Sequence, residues 1–158
     1  RFELKRVKVN LSEIAGSIMK DLRQSDPLRK VEFILQPEVY ADGGEHLLKI
    51  AMNNLLENAW KYSSRKEFSV IEFGCIKQDG RKVYFVRDNG SGFDMKYSNK
   101  LFLPFNRLHS DKEFPGTGIG LATVLRVILR HEGNIWSESE PDKGATFYFN
   151  LSEKNEIV

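Results

Sequence analysis

Asn54-Leu55-Leu56-Glu57-Asn58-Ala59-Trp60-Lys61-Tyr62-Ser63 decides how this chain folds. Leu55, Ala59 and Tyr62 continue an apolar series begun at Leu48 and Met52, in steps of three or four residues, which predicts one amphipathic helix over residues 45–62. Asn54, Asn58 and Lys61 stand at i, i+4 and i+7 and form a second stripe beside the apolar one. Amide oxygens are neutral hard donors suited to Mg²⁺, and a lysine ammonium is a mobile counter-charge for phosphate. The same stripe reads equally well as an ordinary boundary between core and solvent. Glu57, on its polar side, reads either as a general base or as a solvated helix charge.

On the C-terminal side, residues 68–77 and 81–87 are predicted strands around Gln78-Asp79-Gly80, and Asp-Gly between apolar runs signals a hairpin. The second strand runs into Asp88-Asn89-Gly90-Ser91-Gly92. Asp88 is thereby set at the sheet rim, where a carboxylate can accept from an amine such as that of adenine. Gly90 and Gly92 let a ligand or another backbone come close. Alone, Asp-Asn-Gly is also common turn chemistry. Residues 88–118 form a long irregular stretch with a helical patch only near 94–101, and long loops inside compact domains are usually functional. Phe114-Pro115-Gly116-Thr117-Gly118-Ile119-Gly120-Leu121 then opens a second amphipathic helix marked by Leu121, Val124, Leu125, Ile128 and Leu129. Alternating glycines at a helix start expose backbone amides to an anion, a natural phosphate cradle. No Lys-Ser or Lys-Thr follows them, so this is not a P-loop, and the spacing fails the dinucleotide pattern.

On the N-terminal side, residues 5–10 read as a strand and 11–21 as a helix capped by Asn10 or Ser12, broken by Asp26-Pro27. Residues 31–35 and 39–41 read as a pair of short strands, 42–44 as a turn, and 133–140 with 145–151 as a closing hairpin. These elements predict an α+β fold, a two-layer α/β sandwich whose mixed, mostly antiparallel sheet is covered by helices on one face. The 158 residues suit one domain, and 41% hydrophobic with 29% charged residues is an ordinary soluble balance. With 24 Lys plus Arg against 22 Asp plus Glu, the net charge of +2 gives no electrostatic case for nucleic acid or an anionic membrane. Apolar runs are too short to span a bilayer, and the single Cys75 excludes an internal disulfide. A cytoplasmic domain is the expectation, and the missing initiator Met suggests a fragment of something longer.

In order and spacing these motifs resemble the ATP-binding catalytic domain of bacterial sensor histidine kinases, within the gyrase, Hsp90, histidine kinase and MutL superfamily. Asn54 to Ser63 is similar to the family's asparagine box, Asp88-Asn89-Gly90-Ser91-Gly92 to its first glycine box, and Gly116-Thr117-Gly118-Ile119-Gly120-Leu121 to its second. Leu101-Phe102-Leu103-Pro104-Phe105-Asn106-Arg107 resembles the phenylalanine box, and Gly144-Ala145-Thr146-Phe147 the closing glycine box. The wording Phe105-Asn106-Arg107-Leu108-His109 is similar to kinases with PAS or phytochrome-type sensors. The resemblance divides the chain into linker and first strand (1–10), catalytic domain (11–151) and tail (152–158).

The resemblance implies roles. Asp88 holds the adenine amine, with Gly90 and Gly92 beside it, and Tyr62 lines the pocket. Asn58 binds Mg²⁺ bridging the ATP phosphates, Asn54 supports it or touches the phosphates directly, and Lys61 meets the phosphate chain. Arg107 approaches the γ-phosphate, while Gly116, Thr117, Gly118, Gly120 and Leu121 shape the phosphate cradle, with residues 99–118 as a lid. Hydrolysing cousins carry Glu where Asn54 stands, so wasteful hydrolysis is expected to be slow. His46, His109 and His131 lack the context of a phosphoacceptor; His46 and His131 read as structural or surface residues, and His109 reads either so or as an aid to lid closure. The acceptor is expected on a separate helical dimerisation domain, with a response regulator downstream and the isolated domain a monomer. Phe102, Leu103, Phe105 and Phe114 read either as lid packing or as a dock for that domain, and Trp60 and Trp136 as core or edge residues.

Overall fold

The computed structural model describes residues 4–103 and 120–153. The chain opens with β1 (Val7–Asn10) and passes directly into α1 (Leu11–Ser25), where Asn10 Oδ1 accepts from the Glu13 N–H at 3.0 Å as an N-cap. α1 runs about one turn past its expected end and stops at Asp26-Pro27. β2 (Val31–Leu35), β3 (Tyr40–Gly43) and α2 (Glu45–Tyr62) follow, then β4 (Ser69–Gln78) and β5 (Arg81–Asp88). Met95–Lys100 is a 3₁₀ segment, and α3 (Gly120–Arg130) leads to the hairpin of β6 (Asn134–Glu140) and β7 (Gly144–Asn150).

β2, β4, β5, β7 and β6 lie side by side in that order. Only β2–β4 is parallel, with Val31 opposite Ser69; the other neighbours are antiparallel. The sheet is therefore mixed and mostly antiparallel, as expected. β2 and β3 do not pair with each other. The Ser12 hydroxyl donates to Gln36 O and accepts from the Val39 N–H, Glu38 turns the chain at φ 56°, and β3 joins β1 in a separate two-stranded ribbon. Asp42 and Gly43, expected in a turn, are the last residues of β3.

Alternation along the strands decides what each face meets. Phe33, Ile71, Phe73, Tyr84, Val86, Phe147 and Phe149 point toward the helices and share one cluster with Leu48, Met52, Leu55 and Ala59 of α2 and Val124, Val127 and Ile128 of α3. Each such buried side chain contributes about 1.5–3 kcal/mol of transfer free energy. The buried face of α3 is Ala122, Val124, Val127 and Ile128, whereas Leu129 is exposed, so its stripe is rotated from the one the sequence suggested. The helix turns its β-branched residues to the core. On the opposite face of the sheet Phe85 lies over Gly74, where a Cβ would meet its ring at 2.7 Å, and Arg87 links Glu72 and Thr146 across three strands.

Candidate functional site

α2 carries one half of the site. Asn54 and Asn58 are half-buried on its flank. The Asn54 Nδ2–H donates to Ile50 O at 2.9 Å, one turn back, which fixes the amide and turns its oxygen outward. A Cβ placed on Gly120, the first residue of α3, would stand 3.1 Å from Asn54 Oδ1 and 3.9 Å from Asn58 Oδ1. Two neutral amide oxygens thus face the electropositive start of a helix, and Gly120 is what allows the approach. Lys61 Nζ lies 4.9 Å from the centroid of the Tyr62 ring. Glu57 is exposed and accepts from Asn53 Nδ2–H at 3.0 Å, which marks it as part of the solvated ridge.

The other half is the turn after β5. Asp88 is only 7% exposed, and its Oδ1 accepts from the Gly90 N–H at 2.8 Å. Burial raises its pKa to about 7, and the hydrogen bonds from Gly90 and Ala145 N–H oppose that rise only in part. The turn is wedged between backbones on both sides. Ser91 N–H donates to Tyr62 O at 3.0 Å, and Asp142 N–H donates to Ser91 O. A Cβ on Gly90 would stand 2.3 Å from Tyr62 O, and one on Gly92, at φ 60°, 2.0 Å from Glu140 O. The space left by these glycines is filled by protein backbone. Asn89 completes the seam, its Oδ1 accepting from Val70 N–H and its Nδ2–H donating to Phe68 O. Sequence reasoning took Asn89 only as turn chemistry; its place between the carboxylate and the first glycine was the available signal.

Among the described residues no cluster of three or more His, Cys, Asp and Glu could hold a metal alone. The oxygens of Asn54 and Asn58 do fit Mg²⁺, provided the remaining ligands come from phosphate and water. Leu121 is half-buried and packs on the core at the foot of this region. Arg107, Gly116, Thr117 and Gly118, together with Phe105, His109 and Phe114, lie outside the described residues. Phe102 packs edge-on against Phe147 at 6.3 Å, while Leu103 is exposed.

His46 is exposed. His131 is fully buried: its Nε2 accepts from the Gly44 N–H at 2.9 Å and Nδ1 donates to Val127 O at 2.8 Å. Desolvation lowers its pKa and keeps the ring neutral, as an Nε2 acceptor requires. It is a structural tie between the end of α3 and the start of α2. Trp60 and Trp136 stack on Phe33 and Tyr148, respectively, in keeping with core and edge positions.

Residues 43–155 match the family described as histidine kinase-, DNA gyrase B-, and HSP90-like ATPase. Cyanobacterial phytochrome A from Nostoc sp. is 35% identical over 156 residues, covering 95% of this chain and 19% of the phytochrome. The adaptive-response sensory kinase SasA from Thermosynechococcus vestitus is 32% identical over 150 residues, covering 91% of this chain and 38% of the kinase. The chain thus spans about a fifth to two fifths of the length of these relatives. The mycobacterial sensor histidine kinase MprB superposes with a TM-score of 0.76 at 23% identity, over 92% of this chain and 96% of that one. Full-length ShkA, solved in complex with AMPPNP, superposes at 0.75 and 22% identity, over 95% of this chain and 31% of ShkA.

Proposed function

The chain belongs to the histidine kinase-, DNA gyrase B- and HSP90-like ATPases as the catalytic ATP-binding domain of a two-component sensor histidine kinase, and from that premise we propose how its residues divide the work. ATP lies along α2 with its base at Asp88 and its phosphates between the Asn54 and Asn58 oxygens and the start of α3. The observation that carries this reading is the single helix joining both ends: its flank faces Gly120, and its last carbonyl, that of Tyr62, holds the Asp88 turn.

In this reading the Asp88 carboxylate accepts from the adenine amine, and the Gly90–Gly92 backbone walls the base pocket together with Tyr62. Asn58, supported by Asn54, holds Mg²⁺, which when bound neutralises phosphate charge. Lys61 meets the phosphate chain with Gly120 and Leu121 at the triphosphate end, a role also assigned, from the sequence motifs alone, to Arg107, Gly116, Thr117 and Gly118. The domain orients the γ-phosphoryl group for a histidine nitrogen of a separate helical dimerisation domain. The N–P bond forms as the bond to the β-phosphate oxygen breaks, releasing ADP. The phosphoryl group then passes to a response regulator. No helix among the described residues is long and apolar enough to cross a membrane, and the ATP supply sets the domain's place on the cytoplasmic side.

Titration with a fluorescent ATP analogue, with and without Mg²⁺, tests the binding. Incubation with labelled ATP should leave the isolated chain essentially unlabelled and label a phosphoacceptor domain added to it. Robust self-labelling would overturn the assignment of the acceptor to another domain. Steady hydrolysis without an acceptor would favour an ATPase, a reading that Asn54 at the usual position of a water-activating Glu argues against.

A further inference from the structure

Arg29 lies in the loop between α1 and β2, where neither its position nor its type drew attention in the sequence. Its Nη2 lies 2.6 Å from Trp60 O, 2.9 Å from Ser63 Oγ and 2.9 Å from Ser69 Oγ, so its N–H groups are shared among three acceptors. The guanidinium carbon sits 3.8 Å over the Trp60 ring, on which Phe33 also stacks. Ser63 and Ser69 are fully buried, and Ser69 Oγ–H donates to Ser63 O. The result is a buried polar knot around one charged group.

The knot finishes α2. The last carbonyls of a helix lack partners within it and must find them elsewhere. Here Ala59 O accepts from both the N–H and the hydroxyl of Ser63, and Lys61 O accepts from Ser64 N–H, all local contacts. Tyr62 O is met by a distant group, the Ser91 N–H, and Trp60 O takes its short contact at 2.6 Å from distant Arg29, with the Ser63 hydroxyl a longer local donor at 3.4 Å. The same short turn of helix is therefore held on one side by Arg29 and on the other by the loop that carries Asp88. Asn54 and Asn58 lie one to two turns earlier on the same rod.

We infer that Arg29 is a positioning residue that fixes the end of α2 and so sets the separation between the nucleobase anchor at Asp88 and the phosphate-facing amides Asn54 and Asn58. This inference rests on the nucleotide reading proposed above. A ligand that touches both anchors gains affinity only while their spacing is held, whereas a ligand that touches one does not depend on it. The clamp acts on the joining of the two halves and on neither half alone.

The test uses the 158-residue chain and three ligands: Mg-ATP, adenosine and Mg-tripolyphosphate, measured well below the melting temperature of each variant by calorimetry or NMR titration. In Arg29→Gln, which removes the charge and the ring stack, Mg-ATP affinity should fall about tenfold while adenosine and Mg-tripolyphosphate each change less than about twofold. Arg29→Lys, which keeps a cationic donor, should recover part of the loss. Ser69→Ala removes one acceptor and should show the same split in smaller size, keeping the question open to measurement if Arg29→Gln does not fold. A lower melting temperature with unchanged Mg-ATP affinity, or an equal loss for all three ligands, would overturn the clamp. Absence of Mg-ATP binding by the unsubstituted chain would instead overturn the nucleotide reading itself, and the clamp with it.

Discussion

The two ends of the site are built in opposite ways. At the proposed base end the turn of residues 89–92 is packed between Tyr62 O and Glu140 O so closely that no side chain fits at Gly90 or Gly92, and the Asp88 carboxylate is buried among backbone. At the proposed phosphate end Asn54 and Asn58 are half-buried, and their amide oxygens face the first residue of a helix across a space of atomic dimensions. The contrast suits what each end is proposed to recognise. A neutral base is recognised by a fixed hydrogen-bonding shape that excludes water, while a hydrated, charged triphosphate with its metal needs oxygens and dipoles that water can reach.

The largest effect should come from filling the tight end. Gly92→Ala sets a Cβ against Glu140 O at a left-handed φ and should cost about 3 kcal/mol or more, read as a lower urea midpoint. Asp88→Asn separates fold from recognition at the same end: nucleotide affinity should fall about 100-fold, while stability at neutral pH holds or rises because a buried charge has been removed. Asn58→Ala probes the other end, weakening Mg-ATP about tenfold and leaving adenosine untouched. If Asn58→Ala weakened adenosine as much as Mg-ATP, the division between the ends would be wrong.

The pH dependence sharpens the contrast further. Asp88 holds its proton more tightly folded than unfolded, with a folded pKa of about 7 against 3.8. Its contribution to stability is fully present below the lower value and is lost as pH rises through about 7. The ligand-free domain should thus lose stability across that window, with a slope approaching about 1.4 kcal/mol per pH unit. Asp88→Asn should flatten the slope, as seen in melting curves collected across the range. Adenosine, proposed to use the carboxylate as an acceptor, should bind better as the pH rises through the same window. The smallest effect is expected at Glu57→Gln, whose partner is Asn53 on the exposed ridge: Mg-ATP affinity should change less than about twofold.

Much of this was legible in the residues. The long helix over 45–62, the hairpin at Gln78-Asp79-Gly80 and the placement of Asp88 at a strand end all follow from local periodicity and turn chemistry, and the structure has each of them. Where the reading failed, the cause was non-local. β2 and β3, adjacent in sequence, belong to different sheets because Ser12, from α1, bonds both sides of the connection at Gln36 O and Val39 N–H. The core face of α3 was misjudged because Leu129 and Val127 are equally apolar as letters, and only packing against α2 and the sheet selects between them.

The glycines mark the limit most clearly. Gly90 and Gly92 were recognisable as positions of close approach, but not as positions approached by Tyr62 and Glu140, which are far away in the chain. Arg29 and His131 are a stronger case: each sits in an unremarkable local context, and each ties together segments distant in sequence. The sequence by itself determined the elements, the chemical types at the site and the family, because these depend on spacing along a single helix or turn. Only the tertiary structure decided which backbones the glycines admit, which groups finish α2 and how deeply Asp88 is buried, because hydrogen-bond partners and desolvation are set by neighbours that no local pattern names.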